Sequence, residues 1–360
     1  MRRLDHIEIE GFKSIERLRL QLGPVNVLVG QNGAGKSNFI SFFRMLNELI
    51  EERLQLYVAR SGGANALLYY GAKTTPEITA RMFFGRNGYL IRLAPTEDDG
   101  LLFAGEQLYF KGALGESRRP FIAGHREAKV NEAYRLDPSG IPGYVVPSIR
   151  SWHVYHFHDT GPQAPPKQTN DLHDNDRLRS DAGNLAAFLY LLQERHAANY
   201  ALIRSAVRQV FPRFDDFTLR PNPLNPDTIR LEWRERESDY RFGPHQLSDG
   251  TLRFICLATL LLQPKLPSTV LIDEPELGLH PSALGVLASL VRSASARAQI
   301  IMTTQSVTLL NEFEPEQVIT VDRIEGASEF KRLTSGELEA WLERYTLGEI
   351  WEKNVVGARP

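Results

Sequence analysis

The chain has 360 residues, which is enough for about two domains or for one large domain that carries an insertion. Hydrophobic residues make up 42% of the sequence, but no run of 18 apolar residues is present, so we expect no transmembrane helix and no membrane partner. Since 42 Lys and Arg balance 44 Asp and Glu, the net charge is −2 and any nucleic-acid contact needs a local basic patch. The single cysteine, Cys256, excludes an internal disulfide, and no signal-peptide pattern precedes the first predicted strand. Both features predict a cytoplasmic protein.

Hydrophobic periodicity predicts an α/β chain. The first thirty residues are predicted to be strands, and Val25–Val29 is apolar enough for a strand that is buried on both faces. A helix follows from residue 39, and β-rich segments at 77–111 include a hairpin turn at residues 86–88. Later predicted strands lie at 152–157, 228–233, 269–272 and 299–303, and predicted helices at 180–211, 249–262 and 281–293.

Residues 30–37 match the P-loop pattern, between a predicted buried strand and a predicted helix. Glycines let the backbone N–H groups of such a loop point at phosphates, and the following helix adds the positive end of its dipole. Lys36 is then expected to reach the β- and γ-phosphates, and the Ser37 hydroxyl to ligate Mg²⁺. The predicted phosphate-binding residues are Gly30, Gln31, Asn32, Gly33, Ala34, Gly35, Lys36 and Ser37.

An acidic pair, Asp273 and Glu274, follows the predicted apolar strand at 269–272. In a P-loop protein, an aspartate at this position holds Mg²⁺ beside the P-loop serine. The next carboxylate can polarise the attacking water. We therefore predict Asp273 as a magnesium ligand with Ser37, and Glu274 as a catalytic residue; a buried strand that ends in two solvated charges is the alternative.

Residues 247–251, Leu-Ser-Asp-Gly-Thr, resemble the signature motif (LSGGQ type) of ATP-binding-cassette (ABC) ATPases. The resemblance implies that Ser248 and Gly250 bind the γ-phosphate of ATP held by the opposite protomer. A helix N-terminus with a hydroxyl cap suits that task. Asp249 and Thr251 depart from the family pattern, and Ser-Asp-Gly is also a common turn and cap sequence.

Gln305 stands where this family has its switch histidine, directly after the predicted strand at 299–303. The resemblance implies that Gln305 contacts the γ-phosphate or orients water, although an ordinary strand-end amide is the alternative. His280 occupies the position of the aspartate in the D-loop. For the Q-loop glutamine, Gln163 is only a candidate. Nearby histidines and aspartates at 153–176 lack fixed ligand spacing, which disfavours a transition-metal site.

The whole chain resembles the RecF/SMC-like branch of ABC ATPases, and more closely the stand-alone ATPases related to RecF and to the OLD family. Similar segments are 9–15 (Ile-Glu-Gly-Phe-Lys-Ser-Ile), 155–160, 179–185 and 347–353. The resemblance implies an α/β P-loop NTPase with an antiparallel β subdomain and an inserted helical lobe. We expect an ATPase core at 1–60 and 228–325, an inserted lobe at 61–227 and a C-terminal extension at 326–360.

This resemblance also implies a function. We expect a protein that binds and hydrolyses ATP with Mg²⁺, forms an ATP-sandwiched homodimer and acts on DNA, as in RecF-like repair. The alternative is the ATPase or sensor component of a phage-defence or toxin–antitoxin system that controls a separate effector. A nucleotide-binding subunit of a transporter is disfavoured by the long insertion. Because 55 residues follow Gln305, too few for a TOPRIM domain, no nuclease activity is expected.

Overall fold

The computed structural model describes residues 3–112 and 115–358. The strands are β1 (His6–Phe12), β2 (Ile15–Gln21), β3 (Val25–Val29), β4 (Ile78–Phe84), β5 (Asn87–Pro95), β6 (Leu101–Gly112), β7 (Gly115–Phe121), β8 (His153–Tyr155), β9 (Asn170–Asp171), β10 (Phe214–Phe217), β11 (Pro221–Asn222), β12 (Asn225–Ile229), β13 (Trp233–Glu235), β14 (Arg241–Phe242), β15 (Thr269–Ile272), β16 (Gln299–Thr304), β17 (Val318–Ile324) and β18 (Ala327–Arg332). The helices are α1 (Lys36–Ile50), α2 (Leu54–Arg60), α3 (Ala64–Leu67), α4 (Val130–Leu136), α5 (Pro142–Arg150), α6 (Leu185–Arg195), α7 (Ala197–Val210), α8 (Asp249–Leu262), α9 (Pro281–Ser295), α10 (Val307–Leu310), α11 (Ser335–Leu342) and α12 (Leu347–Glu352).

An antiparallel sheet of six strands has the order β2-β1-β4-β5-β6-β7. Its strands alternate buried and accessible residues, which is typical of a sheet with one face in the core and one in water. The tight turn between β4 and β5 brings Phe84 opposite Asn87, at the predicted hairpin. This sheet confirms the expected antiparallel subdomain.

A second sheet has the order β18-β17-β3-β16-β15-β8, in which all neighbours are parallel except β18 and β17. Its central strands are buried on both faces: Val27 of β3 packs into one core, and Leu28 packs into the other. Parallel sheets are normally covered on both faces in this way. Because the carboxyl ends of parallel strands meet at one edge, the residues that follow β3, β15 and β16 lie close together.

Each face of the central sheet has its own core. On one face, α1 lies between this sheet and the antiparallel sheet, and buried aromatic residues such as Phe39 and Phe43 fill the space. Helices α6 to α9 and α12 cover the other face. These layers confirm the α/β fold with a covered, mainly parallel sheet.

Two predicted elements are wrong in their extent. The segment at 180–211 forms two helices, α6 and α7, which break at His196, where the backbone leaves the helical region. The strand predicted at 228–233 is divided between β12 and β13, because these pair with different partners in two small sheets. Register and pairing partners therefore decided boundaries that local hydrophobicity could not.

Residues 112–148 show little periodicity, yet β7, α4 and α5 form there. Strand β7 is exposed along almost its whole length, so it has no buried face to produce an alternating pattern. Helix α5 carries Pro147 in its interior. The expected division into 1–60 with 228–325, 61–227 and 326–360 stays a prediction. Each of the two six-stranded sheets takes strands from both sides of residue 60. Across the described ranges, no helix is long and apolar enough to cross a membrane.

Candidate functional site

The P-loop joins the carboxyl end of β3 to α1, which begins at Lys36. Gly33 and Gly35 have φ angles of 79° and 118°, a backbone region in which side chains with a Cβ are strained. A Cβ on Gly35 would also overlap the Ser328 hydroxyl. The loop therefore needs glycine at these points to present its N–H groups, as phosphate binding requires.

A chain of short hydrogen bonds supports the P-loop from below. The Asn38 amide donates to Ser14 Oγ at 2.7 Å, and the Ser14 and Ser328 hydroxyls lie 2.7 Å apart. Ser328 Oγ donates to the carbonyl of Ala34 at 2.5 Å. Each hydroxyl has one proton, so the set is satisfied when donation runs from Asn38 to Ser14, Ser328 and Ala34 in turn. The sequence did not reveal this link between the strand pair at residues 9–15 and β18.

Lys36 is buried, and its Nζ donates to the carbonyls of Gly30 at 2.5 Å and Gln31 at 3.1 Å. Burial lowers the pKa of Lys36, while the negative charges of Glu274, Asp273 and Glu276 act in the opposite direction. The positive charge of Lys36 therefore lies close enough to these three carboxylates to be stabilised by them.

Other predicted P-loop residues differ in accessibility. Ala34 is buried, whereas Gln31, Asn32, Gly33 and Ser37 are exposed. The exposed Ser37 hydroxyl lies in the first turn of α1. It is therefore accessible to a cation, and hydroxyl and carboxylate oxygens are ligands that Mg²⁺ accepts.

The acidic pair follows β15, and a threonine on the neighbouring strand β16 fixes it. Thr303 Oγ1 donates to Asp273 Oδ1 at 2.6 Å and accepts the backbone N–H of Glu274 at 3.0 Å. Glu274 has a φ angle of 43°, which is uncommon for a residue other than glycine. Strained backbone of this kind is often found at functional sites.

Gln305 follows β16 and contacts both sides of the acidic segment. Its side-chain amide donates to Glu274 Oε1. Its backbone N–H donates to Glu276 Oε1 at 2.8 Å, and Thr304 Oγ1 donates to the same oxygen at 2.7 Å. Burial raises the pKa of the Glu276 carboxyl. Sequence reasoning named Gln305 but gave no separate role to Glu276, although it stands two residues after Glu274.

Ser248 caps the N-terminus of α8, and its Oγ accepts the backbone N–H of Thr251 at 3.1 Å. The Ser248 side chain is exposed, so the cap remains accessible from outside. At Gly250, a Cβ would overlap the carbonyl oxygen of Gly278. The start of α8 therefore packs backbone to backbone against the loop that follows the acidic pair.

Arg253 on α8 is a buried connector that sequence reasoning missed. Its guanidinium donates to the carbonyls of Phe157 at 2.8 Å and His158 at 3.0 Å, and to that of Leu277. His158 Nε2 in turn lies 2.9 Å from the carbonyl of Asp273. Five donors in a fixed fork suit arginine to such a junction, and its only sequence signal is a charge within an apolar helix.

Other predicted positions have mainly local contacts. His280 caps α9, where its Nδ1 accepts the backbone N–H of Ser282 at 3.3 Å. The Q-loop candidate Gln163 is exposed. Lys167, a few residues later, is buried and its Nζ lies 3.6 Å from Asp249 Oδ1. The structure thus brings the segment after β8 against the start of α8 through Lys167 rather than Gln163.

A cavity of about 990 Å³ lies away from this cluster, near residues 263–268 and the strand β8. None of the predicted site residues lines that cavity. The chemistry-bearing groups converge instead at the carboxyl edge of the central sheet, where ligands bind in open α/β folds.

Comparison with protein families agrees with this geometry. Residues 138–311 match a family described as "AAA domain, putative AbiEii toxin, Type IV TA system". Residues 2–60 match one described as "Protein of unknown function (DUF2813)". The chain is also similar to the Old nuclease of Escherichia phage P2, with 22% identity over 375 residues. That alignment covers 94% of this chain and 62% of the relative, so the chain spans less than two thirds of the relative's length.

Solved structures share the fold. An SMC head bound to the C-winged helix domain of ScpA has a TM-score of 0.56 and 16% identity, over 94% of this chain and 99% of that one. An SMC head with an extended coiled coil, bound to the C-terminal domain of ScpA derived from Pyrococcus furiosus, has the same TM-score and identity over 95% of this chain and 99% of that one. The chain therefore has the fold of SMC head domains with a P-loop, and it is similar in sequence to the AAA-domain family and to the Old nuclease.

Proposed function

We propose that the chain binds and hydrolyses ATP with Mg²⁺. The observation that carries this proposal is the cluster at the carboxyl edge of the central sheet, where Lys36, Asp273, Glu274 and Gln305 lie around the P-loop. Hydroxyl and carboxylate oxygens at Ser37 and Asp273 fit Mg²⁺, which would neutralise charge on the β- and γ-phosphates when bound. The decisive test is turnover of ATP by the purified chain and by its site variants.

In this proposal, each side chain has a defined task. Lys36 leaves its two loop carbonyls and pairs with the phosphates, which replace those carbonyls as acceptors. Glu274 polarises the attacking water, and Asp273 stays oriented by Thr303. The Gln305 amide, at the end of β16, holds the Glu274 carboxylate by a hydrogen bond until water or phosphate replaces one of the two partners.

The proposal extends to an ATP-dependent homodimer, which is supported by the exposed cap of α8. Ser248 and Gly250 stand at a helix N-terminus that is accessible from outside the protomer, and such an end is suited to a phosphate. In the chain itself, the side-chain hydrogen bonds of Ser248 go to Thr251 and leave the P-loop untouched. A second protomer that brings its own P-loop to this cap would complete the site.

Replacing Ser248 with arginine should block this dimer. The bulky cation occupies the helix end that is proposed to receive the partner's nucleotide, so dimerisation should be lost while each P-loop still binds ATP. Light scattering with and without Mg·ATP measures the dimer, with Glu274→Gln protein as the positive control. If the Ser248→Arg protein dimerises at the same ATP concentration as the wild-type protein, the sandwich arrangement is contradicted.

DNA is the proposed partner of the dimer, on the strength of the RecF-like and SMC-like resemblance. The net charge gives no support, but the exposed strand β7 presents two arginines, Arg119 and Arg118, of which Arg118 pairs with Glu116 at 2.6 Å. We expect weak binding without sequence preference that strengthens with ATP and falls about tenfold or more between roughly 50 and 200 mM salt. Fluorescence anisotropy with a duplex probe measures it; binding that ignores salt, or none with ATP, contradicts the DNA role.

A second candidate is favoured by the match of residues 138–311 to a toxin–antitoxin family. In that role, the same ATPase cycle controls a separately encoded effector instead of acting on DNA. Capture from the native host with ATP-bound Glu274→Gln protein distinguishes the two. One co-purifying effector that survives nuclease treatment favours the second role, and DNA-dependent capture favours the first.

A further inference from the structure

We propose that Glu276 is a positioning residue that fixes Gln305, and through Gln305 the carboxylate of Glu274. The inference rests on the proposed ATP hydrolysis and adds a residue to its machinery. Glu276 lies in the short loop between β15 and α9, two residues after Glu274.

Glu276 accepts its hydrogen bonds from the end of β16. Glu276 Oε1 accepts the backbone N–H of Gln305 at 2.8 Å and the hydroxyl of Thr304 at 2.7 Å. Thr304 Oγ1 also accepts the backbone N–H of Ser306 at 3.0 Å. One carboxylate oxygen thus organises three successive residues at the point where β16 ends and α10 begins.

The consequence reaches the catalytic carboxylate through one residue. Glu276 holds the backbone N–H of Gln305, and from that position the Gln305 side-chain amide donates to Glu274 Oε1. The Glu276 side chain is half-buried, its Oε1 already receives two donors and its Oε2 is buried, so neither oxygen is presented to an attacking water. It therefore acts through Gln305.

The carboxylate of Glu276 is also unfavourable for the stability of the fold. Glu276 Oε2 is buried and has no hydrogen-bond partner among the residues that the structure describes. A buried carboxylate oxygen without a donor lowers the stability of a fold by more than a typical hydrogen bond raises it. An apolar residue would serve the packing at this point better, and departures of this kind are expected where a side chain is kept for function.

Four variants test the inference: Glu276→Leu, Glu276→Gln, Gln305→Ala and the double variant Glu276→Leu with Gln305→Ala. Leucine removes the acceptor, so kcat should fall about tenfold or more, a scale known for residues that orient a functional group. The Kd for ATP should stay within about threefold, because the P-loop is untouched. Glutamine keeps one carbonyl oxygen as acceptor, so its kcat should stay within about threefold of wild type.

The double variant separates positioning from a general structural role. If Glu276 acts through Gln305, the Leu substitution should change kcat little once Gln305 is alanine, so the two effects are not additive. Additive losses, wild-type kcat in Glu276→Leu, or a rise in Kd that equals the fall in kcat would each overturn the inference. If Glu276→Leu does not fold, as thermal unfolding would show, Glu276→Asp replaces it in the same cycle, because its shorter side chain withdraws the acceptor: a fall in kcat that is not additive with Gln305→Ala supports positioning, and an additive loss or a wild-type kcat overturns it.

Failure of the proposed function has a different signature. It appears in the wild-type protein as absence of ATP turnover, or in Glu274→Gln as unchanged turnover. The Glu276 inference fails only when both of those controls behave as proposed and the Glu276 variants do not.

Discussion

Replacing Glu274 with glutamine should leave ATP binding intact and slow turnover at least about 100-fold. The amide cannot accept a proton from the attacking water, and loss of a general base has effects of this size. The change keeps the shape of the side chain, so the contacts around Thr303 should remain. Steady-state phosphate release gives kcat, and calorimetric titration gives the Kd for ATP.

The matched control for this variant is Glu329→Gln on strand β18, which removes the same charge from an exposed position. It should turn over at the wild-type rate. If Glu274→Gln behaves like that control, Glu274 is not the residue that acts on water.

Replacing Lys36 with alanine should abolish ATP binding within the range of a calorimetric titration. Lys36 is the cation of the P-loop. Its Nζ donates to the carbonyls of Gly30 and Gln31, next to the N–H groups that would bind the phosphates. Alanine is the best helix former, so α1 should still begin at the same point. Far-ultraviolet circular dichroism checks that the fold remains.

A second lysine supplies the control. Lys111 in β6 is exposed and lies outside the cluster, so Lys111→Ala removes one positive charge without touching the P-loop. Its Kd for ATP should equal that of the wild type. Unchanged affinity in Lys36→Ala would mean that the loop at residues 30–37 does not hold the nucleotide.

The predicted site follows from the sequence because its parts are local patterns. Each lies directly after a strand that can be recognised by its apolar residues, and the parallel topology carries Lys36, Asp273 and Gln305 to one edge. A single lysine, aspartate or glutamine at the end of a strand does not indicate a site. The order of the three motifs along the chain predicts that these residues lie together.

The supporting contacts could not be predicted in the same way. Ser328 contacts Ser14 across more than 300 positions of sequence, and Arg253 joins two loops to α8 through backbone carbonyls, whose positions the sequence does not predict. Glu276 lies only two residues after Glu274 in the sequence, yet its partners are the Thr304 hydroxyl and the Gln305 backbone N–H at the end of another strand. Such roles depend on register and depth, which the hydrophobic pattern does not fix.

The break at His196 has a related cause. Apolar residues continue at helical spacing on both sides of it, so periodicity alone predicts one long helix. In the structure α6 ends at Arg195 and α7 begins at Ala197, and both helices contribute buried residues to the same core. The break lies in the backbone of His196, which the spacing of the apolar residues does not mark.

Mixing two inactive variants tests most directly whether ATP is hydrolysed at a site that two chains complete. Lys36→Ala protein lacks a P-loop cation, and Ser248→Arg protein lacks a usable cap. In a mixed dimer, one composite site carries both lesions and the other carries wild-type residues from both chains. Phosphate release should therefore recover on mixing to a substantial fraction of the wild-type rate, while each variant alone stays inactive. If the mixture is as inactive as its parts, although light scattering shows that mixed dimers form, the account of a shared site is contradicted.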